Sequence, residues 1–485
     1  MTKINWDESA ELDKLAELSI KTGVALQPGQ DLLITAPLEA APLVRRLAYH
    51  AYRAGAKIVT PLYTDPEVVL ARYRYAAKDS FEKATNWLFD GMAVAFDNNT
   101  ARLAVVGEDP MLLSEQDSED VSKANKAVSI ASSPLRERIT RFDVNWNIIA
   151  WPGTHWAKRV FPKMSEDEAQ LALADAIFNA SRVKVADPIQ AWKIHNNNLR
   201  ERTEWLNAKN FEALHFYTDG TDLTVGLADG HEWMGGASIA RNGITCNPNI
   251  PSEEVFTTPY ASKVNGHVKS TKPLSHQGTL IEDISVVFKD GVIIEAKASK
   301  GEEVFLKLLD TDEGARRLGE VALVPHASPI SQSNLLFYNT LFDENAACHI
   351  ALGQCYSKCF KNGGELSSDE VIKRGGNSSM IHVDWMIGSE AMNIDGINAY
   401  LIKSMNRPTI ESEEVALPHM NVTRYVKGRT QWSPIDITLY DPIVPSAAQQ
   451  VIEWVRLHHE SVTGRDGYSD FYKKNITFNL LDPVG

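Results

Sequence analysis

The chain has 485 residues, 63 of them acidic and 49 basic, for a formal charge of −14. An apolar share of 44% with a charged share of 23% excludes a disordered or fibrous chain, and the length predicts two to four domains. The acidic balance excludes sequence-independent nucleic-acid binding, which needs a cationic face. Four cysteines exclude a disulfide scaffold and suit a reducing compartment. No run reaches the roughly eighteen apolar residues of a membrane helix, and the segment from Met1 lacks the basic-then-apolar order of a secretory signal. The expectation is a cytoplasmic, multidomain protein with no membrane partner, and an enzyme first.

In chain order, residues 8–22 are predicted as a helix with Leu12, Leu15, Ala16, Leu18 and Ser19 on one face. A buried strand follows over 31–36, then a helix over 38–54 ended by Gly55, and a second strand over 57–63. Further strands are expected at 103–107 and 148–151. Ser165 with Glu168 forms a capping box opening a helix through Ala169, Leu171, Ala172 and Ile177. Strands alternating with helices predict a mostly parallel sheet covered on both faces. No glycine-rich phosphate loop follows any of these strands, so a scaffold or substrate-restricting role is preferred to nucleotide binding.

The period changes near residues 184–202, where a polar helix over 196–211 marks a domain junction. Strands are predicted at 213–218 and 223–227, and a hairpin around Asp290-Gly291 joins strands at 284–288 and 292–296. This half reads as α+β with antiparallel strands.

Four segments carry polar residues that suit chemistry: 251–259, the stretch around Glu320, 343–350 and 381–386. In a strand, His382 and Asp384 point to one face, backed by Ile381, Val383 and Trp385. An imidazole and a carboxylate so placed could ligate a divalent cation, or could be a buried histidine bonded to its neighbour. Glu253 and Glu254 are adjacent, so in an extended chain only one enters a site. Glu320 follows Arg316 and Arg317, where an ion pair is the ordinary reading. Glu344 and His349 precede an apolar run and could be loop residues. Singly each reads as structural. Together they supply the carboxylates and imidazoles used by two-metal hydrolases. Cys355 and Cys359 lie one turn apart in a helix predicted over 351–360, but a closed zinc site wants four ligands.

These motifs, in order and correctly separated, resemble the thermophilic aminopeptidases, the group of aminopeptidases T and S, over residues 8–396. The resemblance implies an N-terminal α/β domain and a catalytic domain holding two divalent metals (zinc, cobalt or magnesium). It also implies a homodimer. Matched by position, the implied ligands are Glu254, Glu320, Glu344, His349, His382 and Asp384, and the implied catalytic tyrosine is Tyr356. Metal chemistry then suggests Glu320 as the bridge, Glu253 as general base and Tyr356 as donor to the oxyanion. The expected substrate is a peptide with a free amino terminus.

Past residue 397 the likeness stops. An alternating strand over 428–442, a helix over 446–458 and a strand over 475–483 resemble a middle portion of the tail tube protein of contractile-tailed phages. The expected organisation is an α/β domain over 1–185, an α+β dimetal domain over 186–397 and a β-rich extra segment over 398–485. The competing readings are a phage structural protein carrying an aminopeptidase-like domain, and a metal-binding protein without hydrolytic role.

Overall fold

The computed structural model describes residues 4–387 apart from 219, 277–278 and 364–365, and beyond 387 the backbone of eight strand segments. The first half builds a parallel sheet of β1 (Leu32–Pro37), β2 (Val59–Thr64), β3 (Ala101–Val106) and β4 (Trp146–Ala150), in the order β2-β1-β3-β4. The helix Ala41–Arg53 buries Leu43, Val44, Leu47 and Ala51 against it. Gly55 then takes φ +96°, the left-handed turn that ends a helix without a Cβ penalty. The predicted first helix is α-helical only over Ala10–Leu18. It continues as a wider π-helical turn, Ser19–Gly23, where the Ser19 hydroxyl donates to the Leu15 carbonyl at 2.7 Å. The capping box at Ser165 is present and opens Glu166–Ala180.

The junction helix runs over Pro188–Lys209, earlier than expected. Asp187 accepts the Gln190 N–H at 3.0 Å and proline occupies the first turn, while Asn210 ends it at φ 48° before Phe211. A five-stranded antiparallel sheet follows. It comprises β5 (Ala213–Thr218) and β6 (Thr221–Leu227), then, past a small ribbon β7 (Ser238–Ile239) and β8 (Thr245–Cys246) and the short β9 (Val255–Thr257), the long β10 (Pro259–Lys269). After a second ribbon, β11 (Leu274–His276) with β12 (Thr279–Ile281), come β13 (Ser285–Lys289) and β14 (Val292–Lys297), giving the order β14-β13-β10-β6-β5. Asp290 and Gly291 both have positive φ, 50° and 80°, as a tight hairpin between β13 and β14 demands.

The third sheet, order β17-β16-β15-β9, is antiparallel and adds β15 (Leu318–Leu323), β16 (His349–Gly353) and β17 (His382–Met386). The helix expected over 351–360 is therefore a correction. Residues 349–353 are a central strand paired on both sides, Ile350 and Leu352 alternate into the core, and only Ser357–Cys359 form a short 3₁₀ turn. Register decides which side chains share a face. Glu320 and Asp384 both lie opposite Ala351, and His349 and His382 are each two residues along a strand from that row. On the opposite face Val321, Ile350 and Trp385 pack into the core with Val255. A bulge at Gly319 makes this possible: Leu318 pairs with Leu352 on the core side, and the next registered pair is Glu320 with Ala351.

Two large hydrophobic cores, with two smaller clusters, result among the described residues. One lies on the parallel sheet and also takes Ile330, Phe337, Leu341, Phe342 and Ala346 from late in the chain. The other lies between the antiparallel sheets. The chain divides into compact units over Met1–Ser389 and Glu390–Gly485. In the second, Ile410–His419 pairs antiparallel with Val422–Trp432, and Ile437–Leu439 and Ile476–Phe478 are strands. The helix expected over 446–458 lies outside the described residues.

A Cβ at Gly319 would stand 2.3 Å from the Gly353 carbonyl oxygen and 2.4 Å from that of Gln354. Gly319→Ala is therefore expected to cost about 1–3 kcal/mol and to impair the site through Glu320. Gly91→Ala, in the helix Asn86–Asp97 with nothing within 4 Å, is expected to stabilise by about 1 kcal/mol. Urea melts of both variants decide; equal stabilities would overturn the bulge account.

Candidate metal centre

The face assembled above is acidic and buried. Glu254 is 6% exposed, Glu320 5%, Asp384 9% and His349 0%. Glu254 joins the face because it precedes Phe256 by two residues, and Phe256 registers with Ala322 in β15. His349 Nε2 lies 3.1 Å from Glu254 Oε2 and 3.6 Å from Glu320 Oε1. His382 Nε2 lies 3.6 Å from Glu320 Oε2 and 3.7 Å from Asp384 Oδ1. Glu320 thus turns one oxygen to each imidazole. Among the described residues two groups could hold a cation, Glu254–Glu320–His349 and Glu320–His382–Asp384, and Glu320 is common to both.

Both imidazoles are oriented from behind. His382 Nδ1 lies 2.7 Å from the Gln354 carbonyl and His349 Nδ1 3.2 Å from that of Ala347. A carbonyl only accepts, so each Nδ1 carries hydrogen and each Nε2 faces the carboxylates, where it holds a second hydrogen while the ring is charged and frees a lone pair for a cation once that proton leaves. Glu254 Oε2, His349 Nε2 and Asp384 Oδ1 are buried with no hydrogen-bond partner. Buried carboxylate and imidazole atoms that face one another without a hydrogen-bond partner are, once deprotonated, the ligand set a divalent cation satisfies.

Charge crowding shows in the titration. Burial pushes the Glu320 carboxyl up to about 7, the neighbouring His349 imidazole offsetting part of this and the Asp384 charge adding to it. Burial alone would depress His349, but Glu254 and Glu320 outweigh it and raise it well above its ordinary value. Glu344 is raised by burial and by the charges of Glu254 and Asp384. It belongs to neither group of three. It accepts the Asn345 side-chain N–H at 3.3 Å and, with Asp384, Leu274, Thr340 and Met386, lines a hollow beside the cluster.

Tyr356 leaves the end of β16 in extended backbone, its ring centroid 4.9 Å from that of His382 and 5.9 Å from Phe256. Burial, then the Glu320 and Asp384 charges, raise its phenol well above 10, so it stays a hydrogen-bond donor. Glu253 does not join the cluster, which corrects the expectation of a general base. Its two oxygens accept from Arg182 Nη1 and Nη2 at 2.6 and 2.9 Å. Adjacent extended residues point apart, and Glu254 takes the site side. Sequence reasoning missed Arg182 and the Gln354 and Ala347 carbonyls; Arg182 carried no motif, and backbone acceptors carry no residue signal. All four cysteines are free thiols.

The thermophilic metalloprotease family (M29) matches residues 8–400. The chain is 50% identical over 386 residues to aminopeptidase T of Thermus thermophilus, covering 80% of this chain and 94% of that protein. It is 45% identical over 392 residues to aminopeptidase 2 of Geobacillus stearothermophilus, covering 81% and 94%. The solved structure of wild-type AmpT from Thermus thermophilus matches with a TM-score of 0.74 at 50% identity, over 79% of this chain and 93% of that one. No helix among the described residues is long and apolar enough to cross a membrane.

Metal-free protein is expected to bind Zn²⁺ more tightly as pH rises. Protons occupy Glu320 below about 7 and persist on His349 above its ordinary range, and both must leave for a cation. Glu320 alone makes binding about tenfold weaker at pH 6 than at pH 8. Chelator competition at the two pH values, with proton release followed, measures this. A pH-independent affinity would sink the assignment.

Proposed function

We propose a working site from the premise that this chain belongs to the thermophilic metalloprotease (M29) family and is a metal-dependent aminopeptidase hydrolysing the N-terminal residue of peptides. The observation that carries the site is the carboxylate shared between two ligand groups. Glu254, Glu320 and His349 would hold one divalent ion, and Glu320, His382 and Asp384 a second, with Glu344 facing the same space as a further ligand. Zinc, cobalt and magnesium are the candidate ions. Bound, they supply Lewis acidity toward the scissile carbonyl and a lowered pKa for water.

The chain's own groups do the rest. The Tyr356 hydroxyl, protonated throughout the working range and beside His382, donates to the carbonyl oxygen as charge builds on it. The Gln354 and Ala347 carbonyls hold the two imidazoles in the tautomer that leaves Nε2 free. The proton of the attacking water goes to a carboxylate of this cluster, since Glu253 is held by Arg182. A carboxylate-rich face suits the α-ammonium of an unblocked peptide, which makes the reaction an exopeptidase one.

We also read the chain as a cytosolic homodimer, supported by its free thiols and the family resemblance; light scattering tests the dimer. The division at 185 and 397 is likewise a proposal: the compact units Met1–Ser389 and Glu390–Gly485 support the later boundary, and the change from a parallel to antiparallel sheets supports the earlier one. The tail-tube likeness concerns residues mostly outside those described. A phage structural role for the whole chain finds no support in relatives that carry aminopeptidase names.

His382→Ala and Asp384→Ala should each lower kcat/KM by more than the about 10–100-fold that loss of an outer partner costs, with the fold retained by circular dichroism. Near-normal turnover with full metal content in either variant would refute the ligand assignment. An unblocked leucine anilide should be cleaved and its N-acetylated form should not; comparable rates would contradict an exopeptidase.

A further inference from the structure

The Glu253 carboxyl is 2% exposed, so its surroundings must satisfy it. The Arg182 guanidinium meets it as a two-pronged fork, and its central carbon lies 5.6 Å from the Trp192 ring centre. Trp192 is itself fixed, its indole N–H donating to the Ser181 carbonyl at 2.8 Å. The Glu253 backbone N–H donates to Asn345 Oδ1 at 2.6 Å, and His195 Nε2 lies 2.7 Å from the Ser252 carbonyl. Residues 252 and 253 are thus held at a carbonyl, an N–H and a carboxylate, each by a different partner. The next residue is Glu254, whose Oε2 has no hydrogen-bond partner of its own.

Arg182 also sits at φ +59°, in the left-handed region where glycine or asparagine is usual after a helix. A long side chain kept in that conformation, aimed at a buried carboxylate, indicates that the side chain is what the position requires. Asn345 closes the arrangement by donating its Nδ2 to the Leu341 carbonyl at 3.1 Å and to Glu344 at 3.3 Å.

We propose that the Arg182–Glu253 pair is a positioning strut: by fixing the side toward which Glu253 points, it fixes the opposite side for Glu254 and completes the Glu254–Glu320–His349 group. Neither residue touches substrate. The strut rests on reading the cluster as a metal centre, and it places in the first half of the chain a determinant of affinity at one ion position.

The test uses full-length protein stripped of metal and titrated with Co²⁺, whose visible absorption reports coordination. The proteins are the unaltered chain, E253Q, R182K and the double variant Arg182→Ala with Glu253→Ala, which leaves no lone buried charge. Two ions per chain are expected for the unaltered protein. The double variant should bind one of them about 10–100-fold more weakly and the other unchanged, with an altered Co²⁺ spectrum. R182K and E253Q should lie between, and kcat at fixed low Co²⁺ should fall while KM holds. Should the double variant not fold, R182K and E253Q carry the same comparison. Full affinity at both positions with kcat lost only in variants of Glu253 would make Glu253 a proton carrier and overturn the strut. Lower melting temperature with both affinities intact would make the pair merely structural and overturn it too. An unaltered protein binding no Co²⁺ would instead refute the metal-centre reading.

Discussion

Mutual repulsion among buried carboxylates is the constraint that orders this structure. Glu254, Glu320, Glu344 and Asp384 converge on one space with two imidazoles. Two like charges about 4 Å apart at an effective dielectric near 20 repel by about 4 kcal/mol, so the pairs Glu254–Glu320 and Glu320–Asp384, with oxygens within 4.8 Å of each other, are costly when both members are charged. Without a cation the protein holds protons there: burial first and the Asp384 charge after it push the Glu320 carboxyl up to about 7, and against burial Glu254 and Glu320 keep a proton on His349 above its usual range. A divalent ion removes the same repulsion without protons. Protons and a cation would therefore compete for this face, and metal binding there would depend on pH.

The sheet makes this crowding possible by presenting ligands at strand spacing. Ala351 lies between Glu320 and Asp384 in one cross-strand row, and its methyl group leaves the space above the row open. The hydrophobic face beneath, with Trp385 and Ile350 fully buried, stops the strands from yielding when like charges repel. The bulge at Gly319 adds what strict alternation would forbid, an apolar Leu318 on one face and an acid two residues later on the other.

Much of this was legible in the sequence. The strand pairing His382 with Asp384, the capping box at Ser165 and the Asp290-Gly291 hairpin follow from local spacing and local conformational preference, and the structure contains all three. Local reasoning failed where partners are distant. His349 to Gly353 looked helical because a short apolar run has no period of its own; pairing on both sides makes it a strand. Glu253 looked like a base because it neighbours a ligand, and only the fold brings Arg182 from 71 positions away to claim it. Backbone carbonyls such as that of Gln354, which set the tautomer of His382, leave no residue signature.

The role of the first half of the chain also changes under this geometry. A substrate-restricting cover could be removed without disturbing the ligands, yet the ligand-bearing segments are rooted in it. Residues 248–250 run beside β4, with the Ile148 N–H donating to Pro248 at 2.7 Å and the Ile250 N–H returning to Ile148 at 3.0 Å. Four residues later the chain delivers Glu254. Phe342 and Ala346, flanking Glu344, are buried in the core of the parallel sheet, and the Trp156 indole N–H donates to the Phe337 carbonyl. One side of the cation site thus hangs from the parallel sheet and the other from β15, β16 and β17. A fragment beginning at residue 186 would lose Arg182 and the sheet edge together. Glu253 would be left as a buried charge without its partner, a change that costs several kcal/mol in proteins of known energetics. The α/β region is therefore part of the frame that holds Glu254 and Glu344 in place, and segments from both sides of residue 185 build the acidic cluster.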